Sequence, residues 1–271
     1  MKKYLIGSIA LFAIIYTTLI ERNLLIKKKF SVKKKNIALT ENIKIVHFTD
    51  VHLGKYFSIK QLDRLVNKIN SENPDIVILT GDLVDKMKYY LDDGKADLIL
   101  ARISAKIGKF SIYGNHDSTP SDRYTYPKIL KNAGFTLLKN ENKKIKVNDK
   151  YINIMGIDDF FQGKIDIPKT TSNINKNDFN LLLLHEPDLI DKFTSYPIDL
   201  ALAGHSHGGQ IFIPFYGVLV NTGFAKRYDR GFYTLKENKN ILLYVNTGIG
   251  STGLPVRFGC IPNITILEIN F

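Results

Sequence analysis

Residues 43–52 read IKIVHFTDVH and residues 75–85 read DIVILTGDLVD. Each stretch begins as an apolar run of strand length, rich in isoleucine and valine, and ends in acidic or imidazole side chains. Between them, apolar residues recur at helical spacing after Ser58, a favourable N-cap, until Pro74 stops the helix. The three segments predict a βαβ unit, and hence an α/β fold, with a polar group at the carboxyl end of each strand.

The same arrangement of an apolar run followed by a polar block recurs further along the chain. Residues 109–113, 181–184 and 200–203 lead into Gly114-Asn115-His116-Asp117, His185 and Gly204-His205-Ser206-His207. Ligands of open α/β sheets bind beyond the carboxyl ends of the strands, so we expect these blocks at one edge. A hairpin around Asn148-Asp149 and alternating segments at 231–235, 241–245 and 264–269 predict a second sheet packed on the first.

The polar blocks contain five of the six histidines, together with carboxylates and one carboxamide. Borderline divalent metals accept these ligands, and the set exceeds what one tetrahedral ion can use. The single cysteine, Cys260, excludes a thiolate cluster. We therefore predict two divalent metal ions, manganese first, with zinc or iron as alternatives. The predicted ligands are Asp50, His52, Asp82, Asn115, His185, His205 and His207.

Several of these residues have expected roles. Asp82 is the candidate bridge between the two metals, because Gly81 lets the chain turn tightly before it. Asp50 and His52 are two residues apart and would face one side of an extended segment. The remaining histidine, His47, is expected to be structural.

Hydrolysis of a phosphate ester also requires a proton for the leaving oxygen, and His116 is the candidate catalytic acid. Asp117, the next residue, is expected to orient its ring. Asp85 is open to two interpretations, a carboxylate supporting the site or a simple turn residue. Arg257 has two interpretations as well, a guanidinium that binds a substrate phosphate or an ordinary surface arginine.

The amino terminus predicts a membrane helix. Tyr4 to Ile20 carry no charge and would form a helix of about 25 Å, so we assign residues 1–21 as an uncleaved anchor, with a cleaved signal peptide as the alternative. Residues 22–42 are then a basic juxtamembrane linker and residues 43–271 the catalytic domain. The excess of basic residues after the helix predicts a single-pass protein of the inner, cytoplasmic membrane, with its domain on the cytoplasmic face.

Charge also bears on the partners. Of the net charge of +12, +8 lies within residues 1–35, which leaves only +4 for the rest of the chain. This distribution fits contact with a membrane surface. It gives little support to a nucleic-acid partner, which requires several phosphate contacts.

The order Asp-x-His, Gly-Asp-x-x-Asp, Gly-Asn-His-Asp, a lone His and Gly-His-x-His resembles the calcineurin-like metallophosphoesterase superfamily from Ile43 to Phe271. The resemblance implies a four-layer α/β/β/α sandwich of two mixed β-sheets flanked by helices. It also implies two ligand sets that share Asp82. One metal would take Asp50, His52, Asp82 and His207, and the other Asp82, Asn115, His185 and His205.

Three further segments narrow the resemblance. His185-Glu186-Pro187-Asp188, residues 204–210 and the stretch from Gly250 to Arg257 resemble the membrane-anchored bacterial branch of the superfamily. That branch includes phosphodiesterase-like proteins and hydrolases of UDP-2,3-diacylglucosamine. This chain is therefore expected to hydrolyse a phosphate ester or diphosphate of a lipid-linked, small or membrane-proximal substrate by attack of metal-bound hydroxide. The alternatives are a nuclease or other soluble phosphodiesterase, and a metal-binding membrane scaffold without activity.

Overall fold

The computed structural model of the protein describes residues 2–34, 41–86, 95–238 and 240–271. Within these residues the chain forms two six-stranded sheets and one separate hairpin. The strands are β1 Ile26–Lys33, β2 Asn42–Phe48, β3 Ile76–Leu79, β4 Gly108–Ser111, β5 Thr136–Leu137, β6 Glu141–Val147, β7 Lys150–Gly156, β8 Phe179–Leu183, β9 Leu200–Ala203, β10 Phe212–Ile213, β11 Gly217–Val218, β12 Gly231–Thr234, β13 Leu242–Val245 and β14 Asn263–Asn270. The α-helices are α1 Lys2–Ile15, α2 Ile59–Asn70, α3 Ala96–Ala101, α4 Tyr126–Asn132 and α5 Ile167–Thr170.

Both sheets are mixed, as predicted. The first has the order β1-β14-β2-β3-β4-β5, in which β2 to β5 are parallel and β14 runs antiparallel to β2. The second has the order β12-β13-β9-β8-β7-β6, with parallel inner strands and an antiparallel strand at each edge. The parallel strands give both sheets a common carboxyl edge, where the polar blocks of the sequence lie.

The two sheets pack face to face. Ile45 and Ile78 of the first sheet share one buried cluster with Ile154 and Leu181 of the second. Helices α2, α3 and α4 cover the outer face of the first sheet. A 3-10 segment, Pro187–Phe193, covers the outer face of the second together with surrounding loops. The expected sandwich is confirmed, although its last layer is built largely from this 3-10 segment.

Helix α2 forms where the sequence predicts it. Its apolar positions Leu62, Leu65, Val66 and Ile69 are fully buried. The Ser58 side chain accepts a hydrogen bond from the Gln61 backbone N–H at 3.3 Å, and the Gln61 side chain accepts one from the Ser58 N–H at 2.8 Å. This capping box fixes the start of the helix, directly after the first metal-binding block.

The N-terminal segment forms one continuous helix, Tyr4–Asn23, whose most apolar window has a mean hydropathy of 1.8. It passes from α1 into a π-helical turn, Tyr16–Ile20, and a 3-10 turn, Glu21–Asn23. Its length and composition are those of a membrane span or of a signal sequence.

The stretch 22–42, expected to be a linker, contains strand β1, which pairs in parallel with β14. Residues 35–40 of this stretch lie outside the described residues. Lys27 and Lys29 of β1 form ion pairs with Glu72, at 2.5 and 2.8 Å. The expectation of a linker is corrected in this respect, because the chain joins the sheet almost immediately after the N-terminal helix.

Candidate metal centre

The first ligand group lies between the two sheets, where β2 and β9 end. The Nε2 atoms of His52 and His207 are 3.0 Å apart, and His207 Nε2 is 3.4 Å from Asp50 Oδ1. Ligands at about 2.1 Å from one ion are about 3.0 to 3.5 Å from each other. Asp50, His52 and His207 therefore have both the donor chemistry and the spacing to hold one ion.

A second group lies beside it, formed by His185, Asn115 and His205. His185 Nε2 is 3.2 Å from Asn115 Oδ1. The His185 Nδ1–H donates to the Thr80 carbonyl at 2.6 Å, which leaves Nε2 free for a metal. The His205 Nε2–H donates to the Gly223 carbonyl at 2.8 Å, which leaves Nδ1 on the side of the site. Backbone carbonyls thus select the tautomer of both rings, as is usual for metal-binding histidines.

Asp82 lies between the two groups. Its Oδ2 is 3.5 Å from His52 Nε2 and 3.3 Å from His185 Nε2, so one carboxylate reaches both sets of ligands. Gly81, immediately before it, has φ +90°, and a Cβ there would lie 2.5 Å from the Gly114 nitrogen. The predicted requirement for glycine at position 81 thus has two causes, the backbone conformation and the close approach of Gly114.

The backbone that presents the ligands is not extended. Five of the seven predicted ligands have φ in the left-handed region, with values between 48° and 67°: Asp50, His52, Asp82, His205 and His207. Asp50 and His52 therefore converge through left-handed turns, and the extended geometry expected for them is wrong. Side-chain-bearing residues rarely adopt this region, and such strain concentrates at functional sites.

Protonation of the ligand set suits metal binding. Burial lowers the pKa of His52 to about 3 and that of His205 to about 4, and the pKa of His207 is also well below its usual range. These rings are neutral, the form that binds metals. His185 differs: burial opposes its protonation, but the carboxylates of Asp82, Asp50 and Glu186 together outweigh burial and raise its pKa well above the ordinary value. We expect a metal to displace that proton.

Asp117 does not orient the ring of His116, contrary to the prediction. Its buried carboxylate accepts hydrogen bonds from the backbone N–H groups of Asp82 at 2.6 Å and Gly114 at 3.1 Å. The His116 Nδ1–H instead donates to the Asp85 carbonyl at 2.9 Å, and Asp85 Oδ1 is 3.7 Å away. Asp117 therefore fixes the loop that carries Asp82, and Asp85 holds the ring of His116.

Arg257 fits neither interpretation of the sequence, a guanidinium that binds a substrate phosphate or an ordinary surface arginine. It is completely buried, and its guanidinium donates to the carbonyls of Gly250, Thr247 and Cys260. Its Nη2 lies 3.2 Å from His207 Nδ1. The backbone carbonyls of this loop occupy the donors that a phosphate would require, so Arg257 acts as a support for His207.

Replacing Arg257 with lysine should weaken metal binding by about 10- to 100-fold, the usual cost of losing a group that supports a metal ligand. An ammonium cannot reproduce the forked donation to several carbonyls. Titration of the metal-free protein with Mn²⁺ measures this effect. Arg227→Lys is the matched control, because Arg227 is two-thirds exposed and its guanidinium pairs with Asp191 at the surface. Equal affinity in the two variants would contradict the supporting role of Arg257.

Glu186 lies in the site, although no role was predicted for its carboxylate from the sequence. It is completely buried and lies with His185 and His205 in one potential ligand group. Neither carboxyl oxygen has a hydrogen-bond partner within the described part of the chain. Burial, with the nearby Asp159 carboxylate, raises the pKa of Glu186 well above its usual value. Its position directly after His185 was the available signal.

His47, the histidine set apart from the ligands, lies in the core as predicted. Its Nε2 is 2.8 Å from the Thr80 hydroxyl, and burial lowers its pKa to about 3. Thr80 connects His47 to the site, because the Thr80 carbonyl accepts a hydrogen bond from His185 Nδ1–H. His47 therefore stabilises the strand end that positions Asp82.

Comparisons with known proteins identify the family. The model of the calcineurin-like phosphoesterases matches residues 43–209. An uncharacterized metallophosphoesterase of Bacillus subtilis, YkuE, is 36% identical over 84% of this chain and 79% of its own. The UDP-2,3-diacylglucosamine pyrophosphatase LpxG of Chlamydia muridarum is 28% identical over 86% of this chain and 85% of its own. One solved crystal structure, 11% identical, shares the fold with a TM-score of 0.50 over 77% of this chain and 91% of its own. The chain belongs to the calcineurin-like phosphoesterase family and is a metallophosphoesterase.

Proposed function

We propose that this metallophosphoesterase hydrolyses a phosphate ester or diphosphate of a lipid at the membrane surface. The observation that carries the proposal is the position of the N-terminal helix beside the metal centre. The Arg257 backbone N–H donates to the Thr17 carbonyl of the helix at 3.0 Å, while its guanidinium lies 3.2 Å from His207. A helix of this length and composition, when inserted, holds the centre close to the bilayer.

The donor set fits two divalent ions. Asp50, His52, Asp82 and His207 would hold one of them, and Asp82, Asn115, His185 and His205 would hold the other. When bound, such a pair neutralises phosphate oxygens and lowers the pKa of a bound water. Manganese is our first choice for reconstitution. The protein contributes the fixed positions of these ligands, since carbonyls and buried loops set their orientation.

His116 supplies the proton for the leaving oxygen. Its ring is about a quarter exposed, whereas the rings of His52 and His185 are almost fully buried. Since Nδ1–H donates to the Asp85 carbonyl, Nε2 is the nitrogen available to substrate. Burial opposes protonation, but Asp82 and Asp85 outweigh it and raise the pKa of His116. The ring therefore carries a transferable proton to higher pH than an ordinary histidine.

One distant relative supports the proposal of a lipid substrate. The Chlamydia muridarum relative is named for UDP-2,3-diacylglucosamine, a diphosphate that carries acyl chains. We propose the same chemical class for this chain, a phosphate or diphosphate attached to an amphipathic lipid. The proposed location is the cytoplasmic membrane, with the domain on the cytoplasmic face, because the basic residues follow the helix.

A substrate panel on the full-length protein in lipid vesicles tests this function. It compares a lipid diphosphate, a phospholipid, p-nitrophenyl phosphate, bis-p-nitrophenyl phosphate and single-stranded DNA, each with Mn²⁺. We expect kcat/KM for a lipid-linked substrate to exceed that for the water-soluble esters by at least about tenfold, a difference of about 1.4 kcal/mol. Preferential cleavage of DNA would instead identify a nuclease, and bound metal without turnover would identify a scaffold.

A further inference from the structure

Exposed apolar side chains concentrate in one segment outside the N-terminal helix. We name residues 212–224, which include β10 and β11, the hairpin segment. Phe215 at its tip is fully exposed, and Tyr216 and Val220 are exposed by 74% and 68%. Ile213, Leu219 and Phe224 are exposed as well. A contiguous apolar surface of this kind marks a site of interaction with a partner or a membrane.

The root of this hairpin segment is attached to the N-terminal helix through one short loop. The Phe212 N–H donates to the Phe258 carbonyl at 2.7 Å, and the Phe258 ring packs against Tyr16 of the helix, with centroids 6.4 Å apart. A cavity of about 380 Å³ lies between Tyr16, Phe212 and Phe258. The Glu21 carboxylate accepts from the Cys260 N–H at 2.8 Å and fixes the end of the helix to the same loop. The helix and the hairpin segment are thus one connected apolar surface.

The position of Tyr16 along the N-terminal helix indicates how deep its contact with Phe258 would lie in a bilayer. Tyr16 precedes Glu21, the first charged residue at this end, by five residues, or about 7 to 8 Å along the axis. Just beyond it, Arg22 and Lys55 both lie over the ring of Tyr56, at 6.0 and 5.0 Å from its centroid. Tyrosine and basic side chains are the residues that favour the headgroup level. Side chains that contact Tyr16 are therefore on the lipid side of that level.

From these observations we propose that the hairpin segment inserts into the bilayer beside the N-terminal helix, as a second membrane contact. The proposal rests on the membrane attachment included in the proposed function, and not on the identity of the substrate. Apolar exposure explains the insertion, because burying Phe215 and its neighbours in lipid removes them from water. The lipid bilayer is thus the partner of this surface.

The insertion has a consequence for the metal centre. Gly223 of the hairpin segment provides the carbonyl that accepts from His205 Nε2 at 2.8 Å. Phe224 packs on Phe160, with centroids 4.1 Å apart, and Phe161 packs near His205 at 5.7 Å. The segment that enters the membrane therefore also orients a metal ligand. Phe160, Phe161 and Phe224 form an aromatic surface between the hairpin segment and His205.

Single tryptophans test the insertion, since the natural chain contains none. Three full-length variants are reconstituted in phosphatidylcholine vesicles with and without bromine on the acyl chains. Phe215→Trp reports the hairpin segment and Phe12→Trp the helix. Tyr151→Trp is the control, because Tyr151 is an aromatic residue, exposed by 36%, at the start of β7, at the end of the sheet opposite to the metal centre.

We expect brominated lipid to remove most of the emission of Phe215→Trp and Phe12→Trp and to leave Tyr151→Trp unchanged. Quenching of Phe12→Trp without quenching of Phe215→Trp would overturn the hairpin insertion and leave the helix anchor standing. Loss of quenching in both would overturn the insertion and the membrane attachment together. Quenching of Tyr151→Trp to the same extent would also overturn the hairpin insertion, because contact with lipid would then not be specific to the face that carries the hairpin segment.

Discussion

Asp82→Asn is expected to lower metal-dependent turnover by more than about 100-fold, since changes that merely support a metal ligand already cost 10- to 100-fold. Within the described parts of the chain, Asp82 is the carboxylate that lies within 3.5 Å of imidazole nitrogens from both ligand groups. Asparagine has the same shape as aspartate. It retains an oxygen that can accept the hydrogen bond from the backbone N–H of His116, which donates to Asp82 Oδ1 at 2.9 Å in the natural protein. It removes the negative charge that two cations would share. The measurement is kcat on p-nitrophenyl phosphate with Mn²⁺, together with metal content.

The matched control for this variant is Asp149→Asn. Asp149 is exposed in the turn between β6 and β7, and the same change of charge there leaves the site untouched. We expect the control to keep its activity and its metal. An Asp82→Asn protein that retained both would show that this carboxylate does not connect two metals.

His116→Gln should lower kcat by about 10²- to 10⁴-fold for esters of poorly acidic alcohols, the range for loss of general acid catalysis. It should have a much smaller effect on p-nitrophenyl phosphate, because p-nitrophenolate leaves without a proton. The structure supports a different effect on the two kinds of ester. The His116 ring is partly exposed, and its Nδ1–H donates to the Asp85 carbonyl, which leaves Nε2 for the leaving oxygen.

The two esters serve as controls for each other on the same enzyme preparation. Equal losses on both substrates, or loss of bound metal, would contradict the assignment of His116 as the acid and identify it as a ligand. Full activity on both would contradict any catalytic role for this ring. The reference for both measurements is the natural protein, assayed with the same metal ion.

Much of the fold follows from local patterns in the sequence. The run Ile76–Leu79 is buried from both sides, so its apolar character is continuous and reveals a strand. The run Ile43–Phe48 is buried at every position except Lys44. The capped helix α2 and the β6–β7 hairpin carry equally local signals. The ligand residues follow strand ends, and parallel strands bring those ends to one edge. For this reason the residues that meet in the centre could be named from the sequence.

Strand β1 could not be predicted in the same way, because its sequence IKKKFSVK has the composition of a linker. An edge strand tolerates lysines, which help to prevent pairing with other chains. Here Lys27 and Lys29 both form ion pairs with Glu72, a residue far away in the sequence. Only the tertiary structure brings these charges together.

The roles of Asp117 and Arg257 depend on which polar groups are closest in space. A carboxylate beside a histidine in sequence suggests an ion pair, but the backbone N–H groups of Asp82 and Gly114 are closer to Asp117. The carbonyls around Arg257 come from a loop that folds back on itself. The left-handed conformations of Asp50 and His52 also accompany contacts between distant parts of the chain, since their backbone N–H groups donate to the carbonyls of Gly81 and Asp82.

The number of metal ions bound per chain tests the dinuclear centre. Full-length protein is stripped of metal in detergent, reconstituted with Mn²⁺, freed of excess ion and analysed by mass spectrometry of the metal against protein concentration. The ligand groups around Asp50 and His185, joined by Asp82, predict two ions per chain in the natural protein. A stoichiometry of one ion or none, in protein that is folded and active, would contradict the two-metal site.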